Sequence, residues 1–254
     1  RDLHLSLRRQ RQMCIRDRKS IVELNVPVVI TSAGNPKAWT AHLKEHGVRV
    51  MHVVSSVKFG LKAEQAGVDA VIAEGFEAGG HNGREETTTM CLVPAVADAC
   101  EVPVIAAGGL HDGRSVVAAM VLGAEGVQLG SRFVATPESS AHQAFKEAVL
   151  SAEEGSTSLE LKEVTPVRLL DNPFAQRVVA AQQAGASQDE LRALLGRGRA
   201  KRGMFEGDMT EGELEIGQVS SMLCDLEPAG DIVERLVKEC MALAGPDWAT
   251  RWGL

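Results

Sequence analysis

No apolar run in this chain is longer than about seven residues, far short of the ~20 that a membrane-spanning helix needs, so no segment reads as a membrane anchor. Cysteine is sparse: Cys14, Cys91, Cys100, Cys224 and Cys240 form no C-x-x-C pair and join no histidine cluster. That argues against a disulfide framework and a zinc site, so no metal is expected and a reducing cytoplasm is the natural setting. Neither G-x-x-x-x-G-K-[ST] nor G-x-G-x-x-G occurs, which argues against a nucleoside triphosphate and a Rossmann-type cofactor.

Acidic residues outnumber basic ones, for a net charge of −7, but unevenly. Residues 1–20 hold seven basic residues against Asp2 and Asp17, a net +5, which leaves −12 on the remainder. A basic arm of this kind can contact nucleic acid or a membrane surface. This one lacks the apolar core of a signal peptide, and its Leu and Met spacing makes a poor amphipathic stripe. It is read as foreign to the fold, and neither nucleic acid nor membrane is expected as a partner.

What is present is a repeated strand–helix unit. Short Val- and Ile-rich runs occur at Val28–Thr31, Val50–Val54, Ala70–Ala73, Val104–Ala107 and Val127–Leu129. Helical patterns follow, from Pro36 to His46 with Gly47 as the stop, up to Gly67, and from about Asp112 to near Gly123. A further helix is expected to open at Thr136-Pro137. Continuous apolar strands alternating with helices indicate a parallel sheet covered on both faces. Barrel and open doubly wound sheet both satisfy that pattern.

The last two turns favour the barrel. Val104-Ile105-Ala106-Ala107 runs into Gly108-Gly109, and Val127-Gln128-Leu129 runs into Gly130-Ser131-Arg132. In (β/α)8 barrels a phosphate is often held by the loops after strands 7 and 8, where amides and helix N-termini favour an anion. The same glycines would also serve as plain tight turns. If they follow strands 7 and 8, the five runs are strands 4–8 and the chain is expected to be an N-terminally truncated barrel. An eight-stranded barrel cannot close on five strands, so open edges, association of copies and weak cofactor binding are expected.

The candidate reactive group lies earlier. Glu74-Gly75-Phe76-Glu77-Ala78-Gly79-Gly80-His81-Asn82-Gly83 follows the third run and places four glycines around one histidine. Glycine lets backbone lie close against a ligand, and histidine handles protons near neutral pH. His81 is therefore a candidate acid–base residue, although an imidazole bracing its own loop fits the same pattern. Glu74 and Glu77 would tune it or cap the loop's amides, and Thr87-Thr88-Thr89 is expected to cap the next helix. His42 and His46 have a metal-like i, i+4 spacing without a third ligand. His52 reads as core or barrel interior, and His111 and His142 as loop or helix surface.

These blocks, with Pro103 to Gly109 and Gln128-Leu129-Gly130-Ser131-Arg132-Phe133, resemble the nitronate monooxygenases, formerly called 2-nitropropane dioxygenases. Flavin-dependent enoyl-acyl carrier protein reductases share the motif set. The resemblance spans about residues 21–245 and implies a TIM barrel of the FMN-binding type, with a helical lid over the flavin. It implies Glu74, Gly79, Gly80, Gly108, Gly109, Gln128, Leu129, Gly130 and Ser131 as cofactor-binding residues and His81 as the catalytic histidine. The reaction implied is oxidation of a nitronate by molecular oxygen. Reduction of an enoyl thioester is the alternative, since Glu74 stands where many nitronate monooxygenases carry Gln. A flavin-free binding or structural piece is a third reading. The family's first three strands have no counterpart here.

Residues 21–150 would thus form the partial barrel, 151–224 the lid and 225–254 a terminal helix packed on the barrel. Within the lid, helices are expected from Pro173 to Ala184 and, capped by Ser187, from Gln188 to Leu195. The basic stretch Gly196 to Gly203 reads as a solvated helix and turn, or as a contact for phosphate or nucleic acid. Gly217-Gln218 resembles a family position near the active site. In the last helix Ile232, Leu236 and Met241 or Ala242 share a face.

Overall fold

The computed structural model describes residues 20–245. The basic segment read as foreign to the fold lies outside these residues except for Ser20. Strands β1 (Val28–Thr31), β2 (Arg49–Val54) and β3 (Ala70–Glu74) are followed by a two-residue strand β4 (Gly80–His81), then β5 (Val104–Ala107) and β6 (Gly126–Gln128). All but β4 form one parallel sheet in the order β1-β2-β3-β5-β6. Sheet order equals chain order with no reversal. A doubly wound sheet reverses at its switch point; a (β/α) barrel does not, and the barrel alternative is the one the strands adopt.

Burial explains why these runs are strands. Ala70, Val71, Ile72 and Ala73 are all buried, as a strand covered on both faces requires. Helices α1 (Thr40–Glu45), α2 (Val57–Glu64), α3 (Thr89–Ala97) and α4 (Gly113–Val121) pack on the sheet, and Leu43, Ala63, Leu92, Val96 and Ala119 join Val50, Val54, Val71 and Val104 in one core. The outer strand β1 leaves Val28 40% and Ile30 52% exposed.

Several boundaries differ from the sequence expectation. The first helix is split into a 3-10 turn, Pro36–Ala38, and α1. Trp39 between them leaves helical geometry, and the Thr40 hydroxyl takes the Pro36 carbonyl at 2.8 Å in place of a continuing helix bond. Strand β6 ends at Gln128, so Leu129 lies beyond it. Thr136-Pro137 opens no helix. The short α5 (Ser131–Val134) has already started at Gly130, and α6 (Gln143–Leu150) begins later. Buried Lys146 holds the intervening turn by donating to the carbonyls of Thr136 and Ser139 at 2.7 and 2.8 Å.

The segment after α6 is mixed rather than wholly helical. Strands β7 (Thr157–Glu160) and β8 (Val167–Leu170) pair antiparallel, and β8 also pairs with β4, giving the order β4-β8-β7. Helices α7 (Pro173–Gln183), α8 (Gln188–Leu195) and α9 (Arg199–Met204) follow, with Ser187 capping α8 in a reciprocal box with Glu190. Three basic residues of this stretch are paired within the segment: Arg199 with Glu211, Lys201 with Glu206 and Arg202 with Asp208. Helix α10 (Ala229–Ala244) packs on α4, with Ile232 and Cys240 buried. Met241 is exposed, so the buried stripe continues through Cys240 instead of Met241 or Ala242.

Arg168 of β8 ties the antiparallel ribbon to the barrel. It is 2% exposed, donates to the Phe76 carbonyl through Nε (3.1 Å) and Nη2 (3.0 Å), and lies 4.7 Å from the Phe76 ring centroid. Arg168→Met keeps the volume but strands that carbonyl. It is expected to lower stability by about 2–3 kcal/mol in urea unfolding; an unchanged midpoint would contradict the clamp.

Candidate active site

The loop after β3 is fixed by its own backbone and one carboxylate. The Phe76 amide donates to Thr87 O and the Ala78 amide to Gly75 O. Glu77 accepts the Thr89 amide at 3.1 and 3.0 Å, and the Thr89 hydroxyl lies between Glu77 (3.0 Å) and Gly108 O (2.8 Å). The expected threonine cap is thus replaced: Thr88 occupies the cap position without a side-chain bond, and Glu77 caps α3 from across the loop. Asn82 donates to the carbonyls of Ala78 and Gly80, both at 2.9 Å, which closes the loop around His81.

The segment 213–219 lies over these loops. The Gly217 amide donates to Ser131 Oγ at 3.0 Å and the Gln218 amide to Glu77 O at 2.9 Å. Gly79 admits it: a Cβ there would collide with the backbone of Ile216 and Gly217. Gly217-Gln218 therefore sits beside the loop, as the sequence resemblance implied.

Two cavities result. The first, about 260 Å³, is lined by Gly79, Gly108, Gly109, Gln128, Gly130 and Ser131 together with Glu74, Glu77 and Glu215. Gly108 and Gly109 have φ of +88° and +72°, the left-handed region glycine enters freely. Gly130 faces open space, and among the described residues the amides of Gly109 and Gly130 meet no protein acceptor. Among the described residues no lysine or arginine lines this cavity. An anion there would rest on backbone amides and the Ser131 hydroxyl. The second cavity, about 280 Å³, is lined by His81, Asn82, Gly83, His52 and Lys62, and again by Glu74. Glu74 is the wall common to both.

Burial changes the charge of these walls. It pushes the Glu74 carboxyl up to about 7. Glu213 is pushed up to about 7 by burial and by Glu215 beside it, with Arg199 opposing. Burial also raises Glu215, against the pull of His81. A buried carboxyl that stays protonated can donate a hydrogen bond. Three acids near one cavity thus carry less negative charge at neutral pH than their number suggests.

The site residues read from the sequence are brought together unequally. Glu74, Gly79, Gly108, Gly109, Gln128, Gly130 and Ser131 share the first cavity. His81 lines only the second and is exposed. Gly80 lines neither; it pairs with Arg168 and backs onto the Glu215 carboxylate. Leu129 lines neither and packs against the core. His111, expected at the surface, has a side chain only 14% exposed and a buried Nδ1 without a partner. His142 is exposed and caps α6 through the Ala144 amide at 3.1 Å. Arg168 and Glu215 were not singled out beforehand. The signal for Glu215 is the alternation Glu213-Leu214-Glu215-Ile216, whose leucine and isoleucine are buried in a second core.

Residues 10–239 match the nitronate monooxygenase family. A probable nitronate monooxygenase of Staphylococcus saprophyticus is 39% identical over 169 residues, 62% of this chain and 48% of that protein. One from Staphylococcus aureus is 38% identical over 147 residues, 54% and 41% of the two chains. The chain spans about half the length of the curated relatives it matches. Among solved structures, FabK from Thermotoga maritima superposes with a TM-score of 0.83 at 40% identity, covering 89% of this chain and 71% of its own. A nitroalkane oxidase from Streptomyces ansochromogenes gives 0.71 at 30% identity, covering 88% and 67%. With nearly all of its described residues inside the match, the chain belongs to the nitronate monooxygenase family.

Proposed function

We propose that the chain binds FMN in the glycine-lined cavity and oxidises nitronates with molecular oxygen at the cavity of His81. The observation that carries this reading is the pair of cavities sharing Glu74, one with unpartnered amides and the other with a histidine. The amides of Gly109 and Gly130 and the Ser131 hydroxyl suit a phosphate, and Gly79 keeps side chains out of the floor. The chemistry FMN supplies when bound is two-electron acceptance, with oxygen as the final oxidant. His81 handles the substrate proton through an imidazole nitrogen, or hydrogen-bonds the substrate's anionic oxygen. Glu74, which burial holds towards its protonated form, can donate into either cavity when it carries the proton. A cytoplasmic setting and self-association through the exposed strand β1 belong to the same proposal.

A second reading, reduction of an enoyl thioester, rests on the likeness to FabK and on the glutamate at position 74. Oxygen uptake with a nitronate, set against NADH consumption with an enoyl thioester, separates the two.

Purified protein is expected to be yellow and to release FMN on heating, and His81→Ala is expected to keep FMN while losing nitronate turnover by at least ~100-fold. Colourless protein, or an unaffected rate, would overturn the respective assignment. The Glu74 shift also predicts a pH dependence. Because its folded pKa lies above the unfolded value of 4.5, its contribution is complete below that pH and is lost as pH rises through about 7. Glu74→Gln should therefore flatten the decline in stability between pH 5 and pH 8 by up to about 3 kcal/mol in urea unfolding. An identical pH slope would show that Glu74 ionises normally.

A further inference from the structure

The turn between β7 and β8, residues 161–166, is tied to the segment that carries His81. Arg84 donates through Nη1 to the Lys162 carbonyl (3.0 Å) and through Nη2 to the Val164 carbonyl (2.7 Å). The Asn82 amide donates to Pro166 O at 2.9 Å, and Lys162 pairs with Glu86. Strand β4 adds its own ladder, with His81 opposite Val167. One short segment, 80–86, thus bears the candidate histidine and all of these ties. Arg84 is exposed, yet its planar fork is spent on two backbone carbonyls, a geometry that a single ammonium cannot reproduce.

The backbone is strained on both sides of this contact. Glu86 and Leu161 have φ of +50° and +57°, left-handed conformations that are costly for residues other than glycine. Such outliers persist only where their surroundings over-determine them, and they gather at ligand clamps. What the turn contributes to the site is one side chain. Among the described residues that line the second cavity, Thr165 alone comes from beyond residue 83. Gly83 closes the barrel side of the same cavity, where a Cβ would collide with Ser55 just past β2. The place of Thr165 is therefore set from outside the parallel sheet, by the bonds of Arg84.

We propose that Arg84 is a positioning residue for substrate size: it pins the β7–β8 turn so that Thr165 stands as a fixed wall, and the cavity admits short-chain nitronates and rejects long ones. The inference rests on the reading of the second cavity as the substrate site and narrows its substrates to those with a short carbon chain. Arg84 itself lines neither cavity, so it acts only through the turn.

The test compares the nitronates of nitroethane and 1-nitrohexane. Wild type is expected to favour the shorter one about tenfold in kcat/KM, the scale on which a pocket discriminates by chain length. Arg84→Ala should erase that preference through a lower KM for the longer substrate rather than through kcat. Arg84→Lys, which reaches one carbonyl but not both, should keep part of it. Thr165→Ala removes the wall, leaves the Arg84 bonds in place, and should also admit the longer substrate. Two readouts run beside turnover: hydrogen exchange at residues 162–165, expected to quicken in Arg84→Ala and not in Thr165→Ala, and calorimetric Kd values for the two compounds. An unchanged preference in Arg84→Ala, or unchanged exchange in the turn, would overturn the role of Arg84 while leaving nitronate oxidation standing. Absent turnover, with a Kd preference for the shorter compound that Arg84→Ala abolishes, would remove the reaction and keep the wall. Absence of both binding and turnover would overturn both.

Discussion

Glu77 joins three parts of the chain through one side chain and one carbonyl. Its carboxylate receives the first amide of α3, its neighbour Thr89 bridges to the Gly108 carbonyl at the end of β5, and its own carbonyl receives the Gln218 amide from the covering segment. A polar loop at the end of a buried strand cannot leave its amides and carbonyls unpaired. Meeting that requirement locally fixes the distance between the two glycine turns and the cover, and thereby the shape of the first cavity. Arg168 does the same from the other side by taking the Phe76 carbonyl.

The electrostatics follow from that enclosure. Among the described residues the first cavity gathers acidic side chains and no cation, a poor arrangement for an anion if every acid were ionised. Glu77 is engaged as a helix cap, and burial holds Glu74 and Glu215 towards their neutral forms. What remains for a phosphate is a set of backbone dipoles with no competing protein acceptor. The basic residues of the neighbourhood are spent elsewhere: Arg132 pairs with Asp225 and Glu227 at 2.6 and 2.9 Å, tying α5 to the approach of α10.

Much of the barrel was legible because its strands are apolar on both faces. Ala70–Ala73 and Val104–Ala107 have no polar residue to misplace, and their ends lie where the apolar runs end or one residue beyond. Boundaries failed where a side chain competed for a backbone group, as Thr40 does for the Pro36 carbonyl and as Lys146 does for the turn at Thr136. The glycines of the first cavity were readable because close approach and positive φ restrict the residue type. Arg168 and Glu215 were not, since each depends on partners far along the chain. His52, read as core or barrel interior, is buried on the face of β2 that carries Val50 and Val54, with Nδ1 2.7 Å from the Thr31 hydroxyl.

In the proposed complex, backbone amides at Gly109 and Gly130, with no lysine or arginine among the described lining residues, hold the phosphate of FMN. Fluorescence titration of flavin-free protein with FMN and with riboflavin tests it most directly, because the two ligands differ only in that phosphate. FMN is expected to bind at least about tenfold tighter than riboflavin, from charge-assisted bonds to fixed amides. Equal affinities would contradict it.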